Sequence, residues 1–198
     1  MGLDIKLVFA VLSTIITIAA YYPYIRDIFL KKTKPHAYTW LIWGITQGTA
    51  TAALIYGGGN LGAMSLLVGT IMVIAIFLLS LKFGTRNITK SDTLVLIIGL
   101  LAIIVWWQLK NPLLAVVMVT VIDALGFLPT YRKSFVDPWS ETISFWGAMA
   151  ISNVLALLAI AEYNSLTVTY LIMLTVANTI LLTLCISRRK FIVLTEKE

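Results

Sequence analysis

Six polar side chains lie near the middle of long apolar segments, where polar groups are rare. Amide and carboxylic acid groups at such a depth in a membrane usually face the interior of the helix bundle, where they can hydrogen-bond a polar solute. They can also serve only to join neighbouring helices, and a threonine can bond to its own helix instead. The side chains are Thr17, Gln47, Thr70, Asp123, Asn153 and Asn178. We expect the last five to contact a solute; helix joining remains the alternative.

Asp123 is the only acidic residue at this depth. A charged carboxylate in hydrocarbon costs roughly 2.5–3.5 kcal/mol, so the group must be neutral, paired or in contact with water. No lysine, arginine or histidine lies at the same depth as an obvious partner. Asp123 is therefore a candidate proton site, and the alternative is a neutral acid that bonds across helices.

Two prolines, Pro23 and Pro129, lie within segments that otherwise predict helices. Each removes one backbone hydrogen bond, and in a membrane such a defect persists only where neighbours or water satisfy the freed carbonyl. We interpret both prolines as hinges of a gate, with Gly126 adding flexibility to the second hinge. The alternative places each proline at the fraying end of a helix.

The residues that enzymes and metal sites need are missing from the chain. It has one histidine, His36, and one cysteine, Cys185, with no cluster of metal-binding residues around them. No nucleophile–base pair, phosphate-binding glycine loop or dinucleotide fingerprint is present. We therefore expect no enzyme activity, no metal and no cofactor. The net charge of +6 is explained by an anionic lipid surface, so we expect no nucleic-acid partner.

The elements that must position these residues are membrane helices. The chain has 198 residues, of which 60% are hydrophobic and only 12% are charged, whereas a soluble domain has about 25% charged residues. Apolar runs approach the ~20 residues that cross a bilayer as a helix. Seven such runs cover about 5–28, 36–56, 61–81, 93–108, 113–131, 142–161 and 166–187. They predict an all-α membrane protein with seven transmembrane helices.

The basic residues predict the orientation of these helices. If the chain crosses the membrane seven times, all of the 15 lysines and arginines except Lys6 and Lys110 fall on one side of the membrane. Cytoplasmic loops are enriched in basic residues. We therefore expect the N-terminus outside, the C-terminus in the cytoplasm, and a location in the plasma membrane.

The chain contains an internal repeat, which determines the architecture we predict. In both copies an arginine follows a first proline by three residues, and Trp-Gly begins eight residues after a second proline. A tyrosine, Tyr56 or Tyr163, is predicted to end the second helix of each copy. The copies are parallel three-helix repeats at 1–84 and 112–190, joined by a linker helix with its loops at 85–111 and followed by a tail at 191–198. Because a single linker helix joins the two units, both enter the membrane with the same polarity. This 3+1+3 arrangement therefore predicts parallel repeats related by an axis along the membrane normal.

Trp43 and Trp146 are the tryptophans of the two Trp-Gly pairs, about a turn from mid-depth. They are predicted to line the path between the solute site and the cytoplasm. Alternatively they pack where Gly44 and Gly147 allow helices to approach each other.

Two three-helix units, each with a proline near the inner end of its first helix and a basic turn after it, resemble the PQ-loop and SWEET transporter superfamily. Residues 23–33 and 129–134 carry the resemblance, which covers nearly the whole chain. Tyr24 and Thr130 stand where that family has glutamine after the proline. The resemblance implies that Asn178, in the third helix of the second unit, binds a solute. The matching position in the first unit lies near Val73.

The resemblance implies a carrier that moves a small polar solute by alternating access, with a sugar as the first expectation. A proton-coupled amino-acid carrier and a vitamin or nucleoside carrier have the same fold, and so do the KDEL receptors, which do not transport. A retinal protein would need a lysine midway along the last span, and residues 170–183 contain none. The sequence leaves the oligomeric state open.

Overall fold

The computed structural model describes residues 5–85, 88–107 and 111–192. Within these ranges the chain forms seven α-helices and no β-strand, so the all-helical class and the number of helices are as predicted. Parts of the predicted linker 85–111 and of the tail 191–198 lie outside the described residues. The helices are α1 (Ile5–Phe29), α2 (Ala37–Tyr56), α3 (Ala63–Phe83), α4 (Lys90–Trp107), α5 (Pro112–Val136), α6 (Ile143–Ala159) and α7 (Ser165–Arg189).

Four of the helices, α1, α3, α5 and α7, are long and apolar enough to cross a membrane. The α6 helix is apolar but shorter, with 17 residues. Large apolar side chains cover the outside of the bundle; Ile15, Ile71 and Ile180, for example, are exposed. Because such a surface is unfavourable in water, it is the surface expected of helices that face lipid.

The helices pack as two groups with the same internal order. In the first group α3 packs between α1 and α2, and in the second α7 packs between α5 and α6. The groups meet where α1 lies against α6 and where α2 lies against α5, while α4 packs on α5 and α2. Buried aromatic side chains fill the space between the groups.

One end of the bundle is basic. The connection between α1 and α2 meets the connection between α5 and α6 there, with Thr33 Oγ1 at 2.5 Å from Thr142 Oγ1. The end of α3 joins them, because the Thr85 N–H donates to the Pro35 carbonyl. We call this the basic end; its described lysines and arginines are Arg26, Lys31, Lys32, Lys34, Lys82, Lys90, Arg132, Lys133, Arg188, Arg189 and Lys190.

The other end, which we call the opposite end, consists of short turns. Gly58 adopts a φ of 84°, which favours glycine, in the turn after α2. The Asn164 side chain donates to the Gly57 carbonyl at 3.0 Å, and its oxygen caps α7. The repeat predicts that Tyr163 ends α6, and this prediction is wrong. The helix stops at Ala159, because the following residues are needed to reverse the chain before the cap.

Pro23 and Pro129 lie inside continuous helices, α1 and α5. Their helices continue to Phe29 and Val136, so neither proline lies at a fraying end. The start of α5 has an ordinary proline instead: Asn111 caps the helix by accepting from two backbone N–H groups, and Pro112 follows in the first turn.

Candidate functional site

A small cavity, which we call the central cavity, lies between the two groups of helices. Its volume is about 30 Å³, room for a water molecule or two. Described residues of α1, α2, α3, α5, α6 and α7 contribute to its wall. The wall includes five of the residues that the sequence predicts for a solute site, namely Gln47, Asn153, Asn178, Trp43 and Trp146.

Three buried amide side chains supply the polar part of this wall. The Asn178 amide donates to the Leu174 carbonyl at 2.6 Å, and the Gln47 amide donates to the Leu66 carbonyl at 3.2 Å. The Asn153 nitrogen is buried and has no hydrogen-bond partner among the described residues. A buried donor without a partner costs free energy, so the cavity is poised to accept a hydrogen-bonding molecule.

Gly69 makes room for one of these amides. A Cβ at this position would lie 2.6 Å from Gln47 Nε2, closer than van der Waals contact allows. The glycine therefore lets the Gln47 side chain lie between α2 and α3, where the Leu66 carbonyl satisfies one of its N–H groups.

Aromatic rings supply most of the remaining wall. The ring centroids of Trp43 and Trp146 are 6.0 Å apart, and Phe127 packs on Trp43 at 4.4 Å. Tyr21 and Phe145 also line the cavity and pack edge to face at 5.0 Å. Flat faces of this kind can stack on a ring or on the apolar face of a sugar.

Sequence analysis missed Tyr21 and Phe127, although the repeat contains a signal for them. Each lies two residues before its repeat proline, so the two occupy equivalent positions in the two groups. Asn178 and Val73 form a similar pair: both line the cavity, with an amide in one group and an apolar side chain in the other. The cavity wall therefore follows the repeat in its aromatic rings and departs from it in its polar groups.

Asp123 does not line the central cavity but contacts its wall. Its Oδ1 accepts hydrogen bonds from Thr46 and, at 2.9 Å, from the Tyr170 hydroxyl. Its backbone carbonyl accepts from Trp43 Nε1 at 3.3 Å. The Oδ2 atom is buried with no partner among the described residues. No pattern in the sequence identifies Thr46 or Tyr170 as a partner of Asp123.

Thr17 and Thr70, the two threonines among the six polar residues at mid-depth, have other partners. Thr70 lies outside the cavity wall, and its hydroxyl donates to the Leu66 carbonyl of its own helix at 2.9 Å. Thr17 joins helices instead, since its hydroxyl lies 2.6 Å from that of Ser152. Both hydroxyls are satisfied within the protein, unlike the amide of Asn153.

Gly126 is packed against the cavity wall. A Cβ at this position would lie 3.1 Å from Trp43 Nε1. The glycine thus admits the indole of Trp43 against α5, where the indole N–H reaches the Asp123 carbonyl. This contact gives Gly126 a packing role, and its flexibility beside Pro129 stays a prediction.

Hydrogen bonds between the groups close the cavity toward the basic end. Lys133 Nζ donates to the Lys34 carbonyl at 2.8 Å, and Thr142 donates to Asp27 Oδ2 at 3.0 Å. Toward the opposite end, a Cβ on Gly62 would lie 3.0 Å from Ile160 Cγ1, which brings the groups into close contact there. The structure is therefore closed on both sides of the cavity.

A buried ionic cluster at the basic end joins α4 to both groups. Asp92 accepts from Arg132 Nη2 at 2.7 Å and lies 3.3 Å from His36 Nε2. Burial lowers the pKa of His36 below its usual value, and Lys133 and Arg132 add to this against the opposing effect of Asp92. Burial alone would raise the pKa of Asp92, but hydrogen bonds from Thr89 and Arg132 bring it below its usual value.

A second and larger depression, of about 610 Å³, lies on the surface of the basic end. Lysines, an arginine and three acids surround it, and the acids Asp27 and Glu141 already accept hydrogen bonds from protein groups. It contains no residue predicted for a solute site. The central cavity contains five predicted residues and the buried Asn153 nitrogen, which has no partner among the described residues, and is therefore the better candidate.

We compared the chain with protein-family models, with curated proteins and with solved structures, and no match was found.

Proposed function

We propose that the protein is a membrane carrier that moves a small polar solute by alternating access. The observation that carries this proposal is the central cavity. It lies between contacts that join the two groups at both ends, it is lined by aromatic rings, and the buried Asn153 nitrogen in its wall has no partner among the described residues. Sites for small molecules combine such an apolar wall with a few polar groups that fix orientation. Asn178, Asn153 and Gln47 would bind the polar edge of the solute, and Trp43 and Trp146 its face.

The helix neighbours support the 3+1+3 arrangement within this proposal. The order of the first group, with α3 in the middle, is repeated in the second, with α7 in the middle. The first helix of each group packs on the second helix of the other group, as expected of two parallel repeats related by an axis along the membrane normal. We propose that the basic end lies in the cytoplasm and that the protein has, in a plasma membrane, the architecture that its resemblance to the PQ-loop and SWEET superfamily implies.

A sugar is the first candidate for the solute. The amides offer hydrogen bonds to hydroxyl groups, and the rings of Trp43 and Trp146 offer flat apolar faces. Because the cavity holds only about 30 Å³, a solute of this size requires the groups to separate. Alternating access supplies such a separation, at one end of the bundle at a time.

A proton-coupled carrier of an amino acid, a vitamin or a nucleoside is the second candidate. Asp123 favours it, since its buried Oδ2 has no partner among the described residues and its backbone carbonyl contacts the cavity wall through Trp43. Movement of Trp43 on solute binding would change the surroundings of this carboxyl group. A change of that kind is what couples protonation to transport.

The test is uptake into proteoliposomes of labelled sugars, amino acids and nucleosides, with and without a pH gradient. For the solute that moves, Asn178→Ala is expected to lower uptake about ten-fold, as the loss of a hydrogen bond worth ~1.4 kcal/mol predicts. Thr179→Ala is the matched control on the same helix, because the Thr179 hydroxyl is exposed and bonds to its own helix.

The same experiment separates the two candidates. Uptake that needs the gradient and is lost in Asp123→Asn would favour proton coupling, whereas gradient-independent uptake that Asp123→Asn leaves intact contradicts it. If no solute of any class moves, a receptor of the KDEL-receptor kind takes the place of the carrier.

A further inference from the structure

We infer that Glu141 couples the wall of the central cavity to the closure of the basic end, by hydrogen bonds to Trp146 on one side and Lys133 on the other. The inference rests on the proposed carrier function, in which the basic end opens to release solute. It makes Glu141 a positioning residue, which acts through the groups it holds.

Both oxygens of the Glu141 carboxylate are bonded, and by residues in different parts of the protein. Trp146 Nε1 donates to Oε2 at 3.1 Å, and Lys133 Nζ donates to Oε1. The Glu141 and Lys133 side chains are 1% and 4% exposed. Removing a partner from a buried ion pair leaves a charge that is poorly compensated. Movement of the Trp146 indole therefore weakens the whole cluster.

Lys133 joins this cluster to the other group of helices. Besides Glu141, its ammonium group bonds to the Lys34 carbonyl in the connection between α1 and α2. Arg189 fixes the cluster from α7, since its Nη2 donates to the Glu141 backbone carbonyl at 2.6 Å. The carboxylate is thus held where three parts of the basic end meet.

Trp146 brings the central cavity into the same cluster. Its indole is part of the cavity wall, and a solute larger than a water molecule or two must push this wall outward. Its counterpart Trp43 donates to a backbone carbonyl, that of Asp123. The link from the cavity to a charged side chain therefore belongs to the second group of helices.

The native Cys185 reports on the basic end. It is the one cysteine of the chain, it is buried in α7, and it lies within electrostatic range of Glu141 and Lys133. We would measure how fast a water-soluble maleimide labels it in the purified full-length protein. Glu141→Gln and Trp146→Phe are each expected to raise the rate at least about five-fold, by populating the open state. Asp137→Asn, an exposed acid on the same connection, is expected to leave the rate unchanged.

A second reporter distinguishes opening of one end from general loosening. Ile160→Cys, in a Cys185→Ser background, places the thiol at a fully buried position near the opposite end. Its labelling is expected to stay slow in both variants, because alternating access keeps that end closed. Labelling that rises at both ends would mean a merely structural role and would overturn the inference.

The two variants also test each other. If the labelling rate rises in Glu141→Gln but not in Trp146→Phe, the cluster is not coupled to the cavity and the inference is overturned. An unchanged labelling rate in both variants overturns it as well. If Glu141→Gln does not fold, the Trp146→Phe result decides. Labelling needs no solute, so a failure of uptake would count against the carrier function alone. If uptake is active but the labelling rate does not change in the variants, the result counts against the coupling alone.

Discussion

The Asn153 nitrogen and the Asp123 Oδ2 atom are both buried without a hydrogen-bond partner among the described residues. Thr17 and Thr70 lie at similar depth in their helices, yet their hydroxyls are bonded. Partial satisfaction of this kind is costly in a folded protein and calls for an explanation. At the scale of single residues, the missing partner of the Asn153 nitrogen therefore distinguishes this cavity residue from the two threonines, which polarity and depth alone do not.

His36 gives the residue-scale prediction of pH dependence. Its lowered pKa means that the unfolded chain binds a proton more readily than the folded protein does. Its contribution to stability is therefore complete at neutral pH and is lost as the pH falls below the unfolded value of about 6.5. We expect the melting temperature to fall between about pH 7.5 and pH 5.5.

The control is His36→Gln, which keeps a hydrogen-bond donor for Asp92 but does not titrate. Its melting temperature should depend less on pH over the same range. Asp92 adds nothing there, because its pKa is also lowered and its contribution is lost only in stronger acid. Equal pH dependence in the two proteins would remove His36 as the cause.

At the scale of helices, α1 and α5 share one design. Each contains a proline and continues past it toward the basic end. Each also packs on the second helix of the other group, so a bend in either helix moves the boundary between the groups. Tyr21 and Phe127, each two residues before a proline, line the central cavity. A hinge at these positions would therefore act on the cavity and the basic end together.

Pro129→Ala tests the hinge. Alanine restores the N–H that the Leu125 carbonyl lacks, and a proline inside a helix costs about 3 kcal/mol. We expect the variant to melt at a higher temperature and to take up solute more slowly, as a stiffer helix should. Both quantities can be measured on one proteoliposome preparation and its detergent-purified sample.

Pro112→Ala is the matched control, because a proline in the first turn of a helix removes no hydrogen bond. Its effects on uptake and on melting temperature should both be smaller than those of Pro129→Ala. A faster or unchanged uptake in Pro129→Ala would show that bending at this proline does not limit transport.

At the scale of the whole molecule, the two groups of helices touch at both ends and enclose a cavity too small for a sugar. A carrier with this structure must separate the groups at one end and then at the other. Thr33 and Thr142 lie on opposite sides of the boundary at the basic end, with their hydroxyl oxygens 2.5 Å apart. They are therefore well placed to hold that end closed.

A disulfide at this place should stop transport if the proposed carrier function holds. Thr33→Cys with Thr142→Cys, in a Cys185→Ser background, brings two sulfur atoms close to the bond length of about 2 Å. We expect oxidation to abolish uptake and reduction to restore it. Each single cysteine variant serves as the control. Uptake that continues at full rate in the fully cross-linked protein would contradict separation at the basic end.

Much of the helical framework and part of the candidate site follow from sequence. Apolar runs near twenty residues predict helices, because a chain in lipid must satisfy its backbone groups within the helix. The repeat pairs Trp43 with Trp146, and the resemblance assigned a role to Asn178; all three line the cavity. The predicted end of α6 is wrong by a few residues, because the tyrosine pattern does not show where the chain must turn before the cap of α7.

The sequence by itself determined which residues are polar, apolar or aromatic, and roughly how deep in a helix each one lies. Only the tertiary structure decided which of them meet. It leaves the Asn153 nitrogen without a partner among the described residues, bonds Asp123 to Thr46 and Tyr170, and joins Trp146 to Lys133 through Glu141. The physical reason is that sequence periodicity fixes the face of a helix, whereas hydrogen-bond partners depend on the rotation and contact of separate helices.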